Sequence, residues 1–201
     1  MAKFGAVGCV VILVLAAILA VVVGGTYNSL NTLDQGVRAQ WSQVENVYQR
    51  RADLIPNLVE TVKGAASFEK DTFTQVAEAR SKVGQISADA LKNVLNDPQA
   101  FERFQQAQSG LSSALSRLMA VAEQYPDLKA NASFRELQSQ LEGSENRIAV
   151  ERKRFNETAQ AFNTKRNSVP TVFIAGFFSR FAEKPYFKAA EGADKAPQVK
   201  F

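Results

Sequence analysis

Residues 30–62 read LNTLDQGVRAQWSQVENVYQRRADLIPNLVETV, and the spacing of their apolar positions decides the fold. Leu30, Leu33, Val37, Trp41, Val44, Val47, Arg51, Leu54, Leu58 and Val62 advance in steps of three and four. A seam that returns every 3.5 residues is what adjoining helices need in order to interdigitate. Two further series follow the same rule. One is Phe101, Phe104, Gln108, Leu111, Leu115, Leu118 and Ala122. The other is Phe134, Leu137, Leu141, Ser144, Ile148, Phe155, Thr158 and Phe162, with charged residues filling the gap around Glu151. Strand signals are nearly absent before Val169. The pattern predicts an all-α fold: a long antiparallel bundle of about four helices with coiled-coil-like packing.

The breaks between helices have local causes. Lys63-Gly64 marks the end of the first bundle helix, which starts near Tyr27. A second helix is expected over residues 69–86, and a short one between Ser87 and Asn96. Asp97-Pro98 opens the third, with Asp as N-cap and Pro at the first helical position. Tyr125-Pro126-Asp127 closes it. Ser133 and Glu136 have the spacing of a capping box and open the fourth, which runs to about Asn167. Pro56 falls inside the first apolar series. It lacks the ladder N–H, so it should kink that helix or divide it, and the continuing phase of the apolar positions favours a kink.

Upstream of the bundle, residues 4–25 carry no charge and are mostly Val, Ile, Leu and Ala. About 20 such residues span a hydrocarbon core of roughly 30 Å. The apolar part of a cleaved signal is ~7–15 residues, so this longer run reads as a retained transmembrane anchor. Cys9 reads as an apolar filler on it. Lys3 and the terminal amine precede the run, and the first base after it is Arg38. That balance favours a cytoplasmic N-terminus and an exported bundle. The chain then divides into an anchor (1–25), a bundle (26–168), an apolar Phe-rich segment (169–188) and a tail (189–201) whose composition predicts disorder.

Charge supplies the finer expectations. If the first helix lies antiparallel to the fourth, facing positions add to about 194. Arg50 and Arg51 then face Glu142 and Glu145, and Trp41 faces residues 152–155. Arg51 occupies a core position, where an unpaired charge costs several kcal/mol. The expectation is an Arg51–Glu145 or Arg51–Glu142 pair, with Asn46 and Asn146 nearby as polar layers. In the 169–188 segment Val172, Phe173, Ile174, Phe177, Phe178 and Phe181 are too few to cross a bilayer. Arg180, Lys184 and Lys188 follow or interleave with them. Two readings stand equally: an element lying in the membrane interface, or a cap folded over the open end of the bundle.

The net charge is +4 and histidine is absent, which removes the commonest general base and metal ligand. Cys9 is the single cysteine, so there is no internal disulfide or Cys-based metal cluster. Acids and bases are interspersed, which argues against nucleic-acid binding. No phosphate loop and no metal-ligand spacing occurs, so no cofactor and no catalytic residue is expected. Asp53 with Glu60, or Glu142 with Glu145, would be the carboxylates of a hydrolase. Such spacings are ordinary on solvated helices.

Several long runs resemble the LemA family of bacterial membrane proteins. They are Tyr27-Asn28-Ser29-Leu30, Trp41-Ser42-Gln43-Val44, and the stretch from Gln49-Arg50-Arg51-Ala52-Asp53 through Leu54-Ile55-Pro56-Asn57 to Gly64. Further on come Tyr125-Pro126-Asp127-Leu128, Leu141-Glu142-Gly143-Ser144-Glu145-Asn146, Pro170, and Lys184-Pro185-Tyr186-Phe187. Phe155-Asn156 and Phe162-Asn163 depart from the family's usual Tyr-Asn and lose two hydroxyls. The resemblance implies a long helical bundle on one N-terminal anchor in the bacterial inner membrane, without an established enzymatic activity. It also implies a bundle on the cytoplasmic side, opposite to the charge balance. The expected function is a membrane-anchored scaffold. The expected partners are the lipid bilayer, a second copy of the chain forming a homo-oligomer, and proteins that the sequence does not name. The alternative is membrane remodelling or envelope-stress organisation through residues 169–181.

Overall fold

The computed structural model describes residues 2–65, 70–86 and 93–188, without the side chains of residues 2–7, 9 and 65. The expected short helix after Ser87 falls mostly outside these residues. So do the 189–201 tail and the side chain of Cys9. Among the described residues there is no strand. The helices are α1 (Ala2–Ala65), α2 (Lys70–Gly84), α3 (Pro98–Ala122), α4 (Pro126–Ala130), α5 (Ala132–Asn167) and α6 (Thr171–Gly176). A 3-10 turn at Ser179–Phe181 follows, then an extended strap over residues 182–188.

α1 differs from the expectation of a separate start near Tyr27. It is one helix of 64 residues, about 96 Å at 1.5 Å per residue. Gly24 and Gly25 cost the helix roughly 0.5–1 kcal/mol each, but neither takes a left-handed φ. No Pro adjoins them to stop the ladder. Pro56 does not divide α1 either. The side chains of residues 10–22 are exposed all round, and α1 is long and apolar enough there to cross a membrane.

α1 and α5 lie against each other and α2 lies on α3. Gln40 Nε2 donates to Glu151 Oε2 at 2.6 Å, which fixes α1 and α5 as antiparallel neighbours together with the Arg51 contact below. Buried positions on α1 are Leu30, Asp34, Val37, Trp41, Val44, Tyr48, Arg51, Ile55, Leu58 and Val62. These steps alternate four and three without exception. Leu33, Val47 and Leu54 are only half-buried, each one place off that seam. On α3 the buried seam runs through Phe101, Phe104, Gln108, Leu111, Leu115, Leu118 and Ala122. The core forms two apolar clusters. One is aromatic and built around Trp41, Phe101, Phe155 and Phe162. The other is aliphatic and built around Ile55, Leu58, Leu111, Leu118 and Leu141.

The caps follow side-chain chemistry. Asp97 Oδ1 accepts from the N–H groups of Gln99 (2.9 Å) and Ala100 (3.2 Å), with Pro98 at the first helical position. Tyr125-Pro126 does not merely close α3. It opens the single turn α4, which buries Leu128. The capping box at Ser133 is corrected. Asn131 is the N-cap of α5, its Oδ1 accepting from the Phe134 N–H at 3.2 Å, while Ser133 is already helical. Asn131 also closes α4, its N–H bonding Leu128 O at 3.0 Å, so one residue ends one helix and starts the next. Asn131→Ala and Asp97→Ala should each cost about 1 kcal/mol, and Ser133→Ala much less. Thermal melts followed by circular dichroism in detergent will rank them, and an equal loss at Ser133 would restore the capping box.

Candidate functional site

Arg51 lies at the junction of the two apolar clusters and is 1% exposed. Its Nη1 donates to Glu145 Oε1 and to Ser112 Oγ, both at 2.7 Å. Its Nη2 donates to the Gln108 side-chain and backbone oxygens. The guanidinium also faces the Tyr48 ring at 5.2 Å. α1, α3 and α5 therefore meet at one charged layer, each contributing a seam or near-seam side chain. Glu145 is part-exposed, so water shares its charge. Ser144 is buried beside it and returns its hydroxyl to Gln140 O.

The expected polar layer is otherwise corrected. Arg50, Asn46, Asn146 and Glu142 are exposed and stand outside it. The reason is rotational, since Arg50 and Asn46 lie off the seam through Val44, Tyr48 and Arg51. Glu142 instead accepts from Gln138 at 3.1 Å, and Asp53 accepts from Gln49 at 2.8 Å. Both bonds lie along helix surfaces.

Beyond Arg51 towards the apolar half of α1, Trp41 is ringed by Phe104 (5.1 Å), Phe155 (5.6 Å), Phe101 (5.8 Å) and Phe187 (6.1 Å). Phe187 comes from the strap, which runs back along α5. Two asparagines of α5 hold it. Asn163 Nδ2 donates to Lys184 O (2.9 Å) and its Oδ1 accepts from Lys184 N–H (2.8 Å). Asn156 repeats the arrangement with Phe187, at 3.0 and 2.9 Å. Each primary amide thus stands in for the edge of a neighbouring strand. The spacings match: seven helical residues rise about 10.5 Å, and three extended residues span about 10 Å. A lost hydroxyl at Phe155 or Phe162 leaves these bonds intact, because the asparagines make them.

The strap also inserts a charge. The side chains of Lys184 and Asp34 are both 0% exposed, and Lys184 Nζ lies 2.8 Å from Asp34 Oδ1. Lys184 Nζ donates to Asn96 Oδ1 at 2.7 Å and stands over the Phe162 ring. Arg38 Nε donates to Asp34 Oδ2 at 2.9 Å, and Arg180 lies 3.9 Å from the same oxygen. Burial alone would push the Asp34 carboxyl up, but the bonds and charges of Lys184 and Arg38 outweigh it and hold it below its ordinary value. Burial, with repulsion from Arg38 and Arg180, pulls the Lys184 ammonium down despite Asp34. The sequence series passed over Asp34 in favour of Leu33. Strict four–three alternation from Leu30 would have placed it in the seam.

Of the apolar C-terminal residues, Phe181 is buried, Val172 and Ile174 are half-buried, and Phe173, Phe177 and Phe178 are exposed. The segment therefore combines a packed face with an open one. The side-by-side groove between α1, α2 and α3 holds about 840 Å³ and is lined by Glu45, Tyr48, Arg80 and Gln108 among others. Among the described residues no three His, Cys, Asp or Glu side chains converge as metal ligands would.

These features define a class: an all-helical bundle carried on one long, partly apolar helix and tied by buried polar layers. The LemA family profile matches residues 40–201, and the chain belongs to that family. Magnetosome protein MamQ 2 of Paramagnetospirillum magneticum is 28% identical over 182 residues, covering 84% of this chain and 66% of that protein. Magnetosome protein MamQ of Magnetospirillum gryphiswaldense is 27% identical over 190 residues, covering 86% and 70%. Protein LemA of Metamycoplasma hominis is 24% identical over 141 residues, covering 70% and 59%. The chain thus spans just under two thirds of the length of the first of these.

Two predictions follow from the layers. Arg51→Ala should lower stability by roughly 3–5 kcal/mol, whereas Arg51→Met, which fills the space without a charge, should cost under about 2 kcal/mol. Denaturant titration in detergent distinguishes these, and equal losses would show that the charge and its hydrogen bonds matter and the filled volume does not. The second concerns acid. An unfolded Asp carboxyl titrates near 3.8 and Asp34 in the fold titrates lower. The unfolded state therefore binds the proton first as pH falls. The contribution of Asp34 is complete above that value and is lost as pH falls through the folded one. Asp34→Asn should flatten this acid limb and, by leaving the Lys184 ammonium buried without a counter-charge, cost about 3–5 kcal/mol at pH 7. Asp34→Asn with Lys184→Met should recover part of that loss in the same pH series.

Proposed function

We propose that the chain is a membrane-anchored scaffold of the bacterial cell membrane, working by presenting and positioning surfaces and not by catalysis. The observation that carries this reading is the unbroken helix α1. Its exposed apolar residues 10–22 and its buried seam from Leu30 belong to one rod without a linker. Left in water, the thirteen apolar side chains of residues 10–22 would stay exposed, and a bilayer is the solvent that removes the cost. The buried polar groups support the non-catalytic part. Arg51, Asp34 and Lys184 are all engaged in ties between elements. Neither relative's name, MamQ or LemA, states a reaction. Partners on this reading are the bilayer, a second copy of the chain and other proteins that dock on the exposed faces of α2, α3 and α5.

The full chain should stay in the membrane pellet through an alkaline carbonate wash. Leu15→Arg with Leu19→Arg should release it, because each buried charge near mid-span costs roughly 2.5–3.5 kcal/mol. Release of the unaltered chain would end the anchor reading. Light scattering of detergent-extracted protein then addresses self-assembly: a uniform particle well above the 22.0 kDa chain supports a homo-oligomer, and a single chain supports a tethered adaptor.

A further inference from the structure

We infer that Val169, Phe173 and Phe177 form a second membrane contact, lying in the interfacial zone of the same bilayer that α1 enters. The inference rests on the anchor reading above and deepens it. Its starting point is the division of the C-terminal segment into two faces. Thr171, Ala175 and Phe181 are buried against the bundle. Val169, Phe173 and Phe177 recur every fourth residue and are 78%, 68% and 86% exposed. Each of these side chains gains about 1.5–3 kcal/mol when removed from water.

Position identifies what covers that face. α6 packs directly on α1. Tyr27 holds the Phe178 and Phe181 rings at 5.2 and 5.3 Å, and Arg180 bonds the Tyr27 hydroxyl (3.1 Å) and Asn31 Oδ1 (2.8 Å). Tyr27 is two residues beyond the end of the uncharged run. Residues 4–25 rise about 33 Å, close to the hydrocarbon thickness, so Tyr27 stands about 3 Å past its edge. The ring contacts and the Arg180 bonds tie the open face to that level. A helix that crosses the bilayer there brings Phe173 and Phe177 to the boundary between acyl chains and headgroups. Lys165, Arg166 and Arg180 at the same end of the bundle supply the positive charge that anionic headgroups attract. Thr171, Ala175 and Phe181 are buried against the bundle, so the lipid contact falls to the outward side chains and not to residues 169–181 as a whole. Val169, Phe173 and Phe177 are the most exposed apolar side chains of the segment, whereas the Phe178 ring packs on Tyr27.

The test uses the full chain with Cys9→Ala, which removes the single cysteine, in vesicles of phosphatidylcholine and phosphatidylglycerol. A spin label is placed in turn at Phe173→Cys, Phe177→Cys, Glu183→Cys as the water control and Leu15→Cys as the anchor control. The ratio of oxygen to nickel-chelate collision should be roughly tenfold higher at positions 173 and 177 than at 183. A ratio at 173 and 177 equal to that at 183, with Leu15 still in lipid, overturns this inference alone. Water access at Leu15 overturns the anchor reading itself. Spin–spin broadening at 177 that vanishes on dilution with unlabelled protein, without oxygen access, assigns the face to a second copy and likewise overturns the lipid contact.

Discussion

The guanidinium of Arg51 divides the core and sets the register of the helices around it. A buried cation in an apolar seam costs several kcal/mol unless its donors are met. Here Glu145, Gln108 and Ser112 engage both Nη groups from two other helices, while Nε is buried without a partner. Sliding α5 by one heptad along α1 would keep the apolar seams in phase but carry Glu145 about 10.5 Å away. Hydrophobic packing alone would tolerate that slip. The charge does not, so the ionic layer contributes uniqueness where apolar burial contributes most of the stability.

The two halves on either side of that layer are built differently, and the strap explains why. In the aliphatic half Leu, Ile and Val fill the space between neighbouring helices. In the other half an additional extended chain lies along α1, α3 and α5. The wider interior there is filled by Trp41, Phe101, Phe104, Phe155 and Phe187 in tilted and edge-on contacts. A strap without regular structure must still bond its backbone. Asn156 and Asn163 do this at a helical spacing commensurate with an extended chain, and Lys184 adds an ionic tie to Asp34.

Much of this was readable in the sequence because helices repeat. The α3 seam from Phe101 to Ala122 needed no correction, and Asp97-Pro98 announced its own cap. Arg51 declared itself as a charge in an apolar series. The errors fell where two neighbouring positions both lie near the buried stripe. Leu33 against Asp34, Val47 against Tyr48 and Leu54 against Ile55 each turn on about 100° of helix rotation. Apolar preference selected the wrong member at Asp34, since its compensating lysine arrives from a strap about 150 residues later that has no periodicity. Ser133 failed for a related reason: capping depends on where the preceding chain stops being helical, and α4 was not visible as a separate turn.

Continuity of α1 has a consequence for how such a molecule transmits position. A bundle joined to an anchor by a flexible linker samples many orientations, and its distance from the membrane is a distribution. A bundle that shares one helix with its anchor has its tilt fixed by that helix. On the anchor reading, the seam from Leu30 to Val62 begins within about 8 Å of the end of the apolar run and extends roughly 48 Å away from it. α6 and Arg180 brace the base of this rod through Tyr27 and Asn31, where bending would otherwise concentrate at Gly24 and Gly25. The two glycines stay within one continuous helix, and the returning chain supports that helix from the side two to six residues beyond them.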